Sequence, residues 1–188
     1  MVTLNYTYRK NMKFISKGFT LIELLIVIAV LGILAAVVLV AIDPIEQLAR
    51  GRDAGRKTSV GQLGRALQAY YTVQGTYFAA VSWTAAATNP LVVTGEIRSF
   101  PSNPAFPAGV TVPCTSPGVL ANNYCYKVDL TTVQVVVYTR MESRVERNKG
   151  TCAGVITDTW YVYSTLDGRS GTICQTAEPA PNTSYTYF

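Results

Sequence analysis

The feature that most constrains this chain is an apolar run that begins abruptly at Phe19 and ends at Ile42. Glu23 is the only charged side chain in it, and Thr20 and Gly32 are the only other interruptions. A helix needs about 20 apolar residues to span a bilayer, so the run is long enough. Arg9, Lys10, Lys13 and Lys17 lie just before it, a basic flank that fits the positive-inside rule. A carboxylate at the centre of a span costs about 2.5–3.5 kcal/mol, and less near its end. Glu23 therefore needs a use.

Two simpler readings fail. A secretory signal has an apolar region of roughly 7–15 residues and a small-residue cleavage site after it. Here the run is longer, has no strict Ala-x-Ala, and its marked break, Gly18-Phe19, precedes the apolar residues. An ordinary membrane anchor explains the length but neither Glu23 nor the Gly18-Phe19 junction.

The string Lys17-Gly18-Phe19-Thr20-Leu21-Ile22-Glu23-Leu24-Leu25 closely resembles the processing and assembly signal of type IV pilins and pseudopilins. The resemblance implies that a membrane peptidase cuts between Gly18 and Phe19 and that the new Phe19 amine is N-methylated. It also implies that Glu23 answers the positive amine of a neighbouring subunit. A buried carboxylate is best satisfied by an opposite charge, and a staggered neighbour would set axial register at the same time. The competing explanation is local: an acid in the first helical turn complements the helix dipole. Met12 begins a shorter basic leader of the family's kind and is the expected start; either start leaves the chain from Phe19 unchanged. Family members often carry a proline where this chain has Val40, so the resemblance does not fix the position of any helix melting here.

The net charge of +5 arises mostly from the leader. Four of the 16 Lys and Arg residues precede Phe19, whereas all 11 acids follow it, leaving 12 basic against 11 acidic residues in the mature chain. A general nucleic-acid reading loses its support. Arg50, Arg52, Arg56, Lys57 and Arg65, interleaved with Asp53, are expected on a solvated or subunit-facing helix surface. There is no histidine, which excludes Cys/His zinc sites and Ser–His or Cys–His catalysis. No Cys-x-x-Cys spacing occurs. Cys114, Cys125, Cys152 and Cys174, an even number in an exported domain, read as disulfides with three possible connectivities. Nearest-neighbour pairs, Cys114–Cys125 and Cys152–Cys174, are favoured, and the second resembles the C-terminal disulfide loop of many pilins.

The expected fold is α+β: a long N-terminal helix, membrane-spanning in its first half, packed on a small antiparallel sheet. Residues 1–18 form the leader and 19–42 the transmembrane assembly helix. Residues 43–74 continue as an amphipathic helix on which Ile45, Leu48, Val60, Leu63, Leu67 and Tyr70 or Tyr71 recur at helical spacing. Asp43-Pro44 predicts a kink or melted segment, and Gly75 a stop. Residues 75–123 are a small-residue and proline-rich connector, with one short strand expected near Leu91–Val93. Residues 124–177 carry strands at Tyr124–Leu130, Val133–Met141, Trp160–Thr165 and Gly171–Cys174. Asp167-Gly168 reads as a turn, and calcium would need more clustered acids than Asp158 and Asp167 supply. The tail, 178–188, is expected to be loose or an added edge strand, and its Asn182-Thr183-Ser184 match to a glycosylation pattern carries no weight.

The expected function is a structural subunit of a type IV pilus, with a pseudopilin of a type II secretion machine as the alternative. A membrane-tethered receptor or enzyme is a weaker third reading, since no catalytic constellation, cofactor motif or metal site is present in the sequence. Implied partners are further copies or related pilins in a helical filament, a prepilin peptidase, an inner-membrane assembly platform, and lipid before assembly. The leader is expected in the cytoplasm and the head outside it.

Overall fold

The computed structural model describes residues 18–102, 104–107, 112–115, 118–149, 152 and 158–188. The basic leader residues and Met12 lie outside the described residues. The chain divides into two units, the first ending at Asp43 and the second running from Pro44 to Phe188.

In the first unit a single helix, α1 (Leu21–Ile42), presents apolar side chains on every side and buries none. A helix that is apolar all round belongs in lipid or between other helices. It ends at Asp43, whose φ of 46° is left-handed, immediately before a proline that cannot donate a helical hydrogen bond.

The second unit opens with α2 (Pro44–Gln74), in which proline takes the first helical position it tolerates best. Gly75, at φ 70°, closes it, its N–H donating to the Tyr71 carbonyl at 2.8 Å. The buried stripe is Glu46, Ala49, Asp53, Arg56, Val60, Leu63 and Leu67, alternating steps of three and four. Ile45 and Leu48, expected on this face, are instead exposed, because the first half of the stripe is polar and takes the inward direction.

After a 3-10 turn (Ala80–Ser82), the segment expected as a strand near Leu91–Val93 is a helical turn, α3 (Pro90–Val93). Asn89 decides this locally. Its side chain accepts from the Leu91 N–H at 3.0 Å and donates to the Thr84 carbonyl, and Pro90 supplies a preset helical φ.

Five antiparallel strands follow as a meander in the order β1 (Val119–Ala121), β2 (Tyr124–Asp129), β3 (Gln134–Arg140), β4 (Asp158–Ser164) and β5 (Arg169–Gln175), with a short helical turn, α4 (Arg144–Arg147), between β3 and β4. β1 lies inside the stretch read as irregular connector. It pairs with β2 through the Asn122-Asn123 turn, both residues at positive φ, as a two-residue hairpin turn matched to strand twist requires. Gly168, at φ 65°, lies in the loop between β4 and β5.

Both sheet faces are covered. Tyr124, Tyr126, Val135, Val137 and Tyr163 pack against Val60, Leu63 and Leu67 of α2. On this face the Tyr126 ring stacks against both Phe78 and Trp83, and the Trp83 indole donates to the Tyr124 carbonyl. The opposite face, Val136, Tyr138, Trp160, Val162 and Ile173, is roofed by Val112 and Tyr185. The tail is therefore neither loose nor a strand: tyrosines at alternate positions pin it over this second face. Disulfides join Cys114 to Cys125 and Cys152 to Cys174, with Cα separations of 5.7 and 5.3 Å.

Candidate assembly site

At the start of α1, Thr20 is extended and its hydroxyl accepts from the Glu23 N–H at 3.2 Å. The Glu23 carboxylate reaches back to the Thr20 N–H at 2.9 Å and the Thr20 hydroxyl at 2.7 Å. This reciprocal capping box satisfies donors that a helix start otherwise leaves orphaned. Thr20 is the N-cap of α1, and Thr-x-x-Glu ahead of an apolar run is the sequence signature of that cap. In a single chain Glu23 is thus held by its own helix end. Phe19, just outside the helix, is 83% exposed, and Gly18 has no heavy atom within 4 Å of the space a side chain would fill. The Gly18-Phe19 junction stands open, and α1 is long and apolar enough to cross a membrane.

The head's own electrostatics lie along the polar half of the α2 stripe. Here Arg56 departs from the expected solvated or subunit-facing surface, whereas Arg50 and Arg65 are exposed as expected. Arg56 is fully buried, donating to Asp53 at 2.8 Å and to the Pro104 carbonyl at 3.0 Å, with its guanidinium 3.7 Å from the Phe106 ring centre. Asp53 also accepts from the Glu142 and Ser143 N–H groups, and Arg52 pairs with Glu142. Two turns earlier, Glu46 accepts from the Arg144 and Val145 N–H groups at the start of α4. Desolvation opposes ionisation of Glu46, but those N–H groups and Arg50 outweigh it and keep the carboxyl below its ordinary range. Lys57 pairs with Glu146 at 2.7 Å, and Glu146 also accepts from Thr172 of β5. The same balance, burial against Lys57 and Lys149, holds Glu146 low. α2 is consequently clasped to the β3–α4 corner by charge and to the sheet by apolar packing. The signal for this clasp was the Asp53-x-x-Arg56 spacing, read as surface because buried arginine is uncommon.

Three further carboxylates hold the tail. Glu178 is disfavoured as an anion by burial, yet Lys127 at 2.7 Å, the Thr115 N–H and hydroxyl, and the Tyr138 hydroxyl bring its pKa down to about 2. Asp129 is lowered to about 2, chiefly by Asn182, with the Thr131 N–H next. Asp167 accepts from the Ser184 and Tyr187 hydroxyls and the Tyr185 N–H. Asp158 instead pairs with Arg140. Asp158 is the first residue of β4 and Asp167 lies past its far end, about 20 Å away at 3.3 Å per residue, so the two share no ion site. The Asn182 side chain is committed to Asp129 and Thr132.

Comparison with known proteins supports this reading of the N-terminus. Residues 14–39 match the prokaryotic N-terminal methylation motif. The fimbrial protein EcpC of Eikenella corrodens is 36% identical over 105 residues, an alignment covering 47% of this chain and 67% of that protein. No solved structure matches the chain. A methylation motif over the start of an exposed apolar helix, a disulfide-bonded antiparallel head and a fimbrial relative covered over two thirds of its length lead to one conclusion: the chain belongs to the type IV pilin and pseudopilin family.

Proposed function

We propose that this chain is the structural subunit of a type IV pilus, matured by cleavage between Gly18 and Phe19 and N-methylated on Phe19. The observation that carries the proposal is Glu23, a lone carboxylate four residues beyond an exposed Gly-Phe junction, at the mouth of a helix with no apolar cover of its own. Cleavage creates an ammonium at Phe19. Once helices bundle and water leaves, that cation and Glu23 of an adjacent subunit each offset the other's desolvation. The exposed apolar surface of α1 is buried first by lipid and then by neighbouring helices. The head, with its disulfides, lies outside the cytoplasm.

The fimbrial relative favours a pilus over a secretion filament, and no observation favours the pseudopilin reading. Two measurements test the proposal. Co-expression with a prepilin peptidase should yield a chain whose intact mass begins at Phe19 and carries one added methyl group; another cut, or none, contradicts it. Deletion of the gene should remove surface filaments. Retained filaments with blocked protein secretion would identify a pseudopilin.

A further inference from the structure

We propose that a groove on the head, between α2 and the turn-and-bend segment after α3, binds an acidic oligosaccharide, meaning sugar rings that carry carboxylates. The proposal goes beyond filament assembly and holds for either kind of filament.

The groove is built by local geometry. Gly95, at φ 84°, turns the chain after α3, and the Ile97 N–H donates to the Leu91 carbonyl at 3.0 Å. Ile97 then packs against the apolar core, leaving its neighbours Glu96 and Arg98 to flank it. Across from them, α2 offers Gln62, Arg65 and Ala69. The groove holds about 510 Å³, within the range of small-molecule sites, and is open to solvent.

Charge gives the groove its sign. Among the described residues, every acid of the head except Glu96 accepts a hydrogen bond or ion pair inside the head. Arg65 and Arg98 make no ion pair among the described residues, and both are exposed. The near-neutral mature chain thus presents uncompensated cations outward, two of them in one groove. Guanidinium is the side chain best matched to carboxylate, which it meets with two parallel hydrogen bonds.

The rest of the lining selects among anions. Gln62 and Ser99 can exchange hydrogen bonds with hydroxyls, and Ile97, Ala69 and Pro101 offer an apolar floor for the C–H face of a sugar ring. Among the described residues no aromatic side chain lines the groove, whereas single-stranded nucleic acid is held by stacking on aromatic rings. Phe100, next in sequence, is turned inward in edge contact with Trp83. One wall is α2, whose backbone hydrogen bonds are already used, so an extended acidic peptide finds no strand edge there.

The test is titration calorimetry on the full mature chain in detergent micelles, with tetragalacturonate as the probe. Neutral maltotetraose, tetraglutamate and a thymidine tetranucleotide serve as comparisons. We expect saturable binding of tetragalacturonate alone, weakened several-fold between about 50 and 500 mM salt. The R65A/R98A variant should bind at least about tenfold more weakly, losing roughly a factor of a few per exposed ion pair. R147A, an exposed cation away from the groove, should bind as wild type does, and both variants should keep the wild-type melting temperature. Absence of saturable binding, unchanged binding by R65A/R98A, or tighter binding of tetraglutamate or the tetranucleotide would each overturn the proposal.

Discussion

Replacing glycine by alanine inside α2 should have opposite signs at Gly51 and Gly64, although helix propensity treats them alike. Each exchange removes a mid-helix glycine and should gain about 1 kcal/mol on propensity alone. At Gly51 a new methyl meets nothing within 4 Å, so the gain should be realised. At Gly64 the methyl would lie 2.5 and 2.6 Å from two ring carbons of Tyr163, which is itself buried in the core between α2 and the sheet. A ring held on both sides cannot swing aside as a flexible chain end can. Overpacking of this kind costs about 1–3 kcal/mol. Gly64→Ala should therefore destabilise the head by up to about 2 kcal/mol net, and the two variants should differ by about 1–3 kcal/mol. For a unit of this size 1 kcal/mol moves the melting temperature by about 2–4 °C. Thermal melts of the mature chain in micelles, followed by near-UV circular dichroism of its tyrosines and tryptophans, read that difference. Equal stabilisation by both exchanges would refute the close approach of α2 to β4.

Arg56→Met should cost about 3–5 kcal/mol in urea unfolding, because Asp53 and Glu142 lose a buried cation; a loss below about 1 kcal/mol would contradict the clasp. The tail should respond to acid. Glu178 and Asp129 have ordinary values of 4.5 and 3.8 and are lowered to about 2, so their stabilisation is complete above about pH 4.5 and fades as pH falls towards 2. Nuclear magnetic resonance signals of Tyr185 and Tyr187 should leave their docked positions in that window, and release at neutral pH would contradict the assignment. Loss of Cys152 and Cys174 together, whose separation is 22 residues, should cost the head roughly 3 kcal/mol without affecting membrane insertion, measured by urea unfolding and membrane fractionation.

What the sequence made legible follows from how local each signal is. The apolar run, the Asp43-Pro44 break, the Gly75 stop and the alternating strands are set by near neighbours, and they stand in the structure within a residue or two. β1 was hidden because three residues show too little alternation, although the Asn122-Asn123 pair marked the hairpin. Leu91–Val93 has strand-forming residues, but the Asn89-Pro90 cap overrides that preference. Arg56 was read as surface because its partners, Pro104, Phe106 and Glu142, lie far along the chain. The tail was illegible for the same reason: Asp129 and Asp167 reach it only through the fold.

Glu23 carries the central claim, and Glu23→Gln tests it most directly. Glutamine at this position can still accept from the Thr20 N–H, preserving the helix cap, but carries no charge to meet a neighbour's Phe19 amine. The measurement is the yield of sheared filaments from cells making only the variant, set beside the amount of processed subunit in their membranes. Normal processing with filament yield reduced at least about tenfold is the predicted result. Wild-type filament yield would show that Glu23 serves only its own helix and would contradict the intersubunit pair.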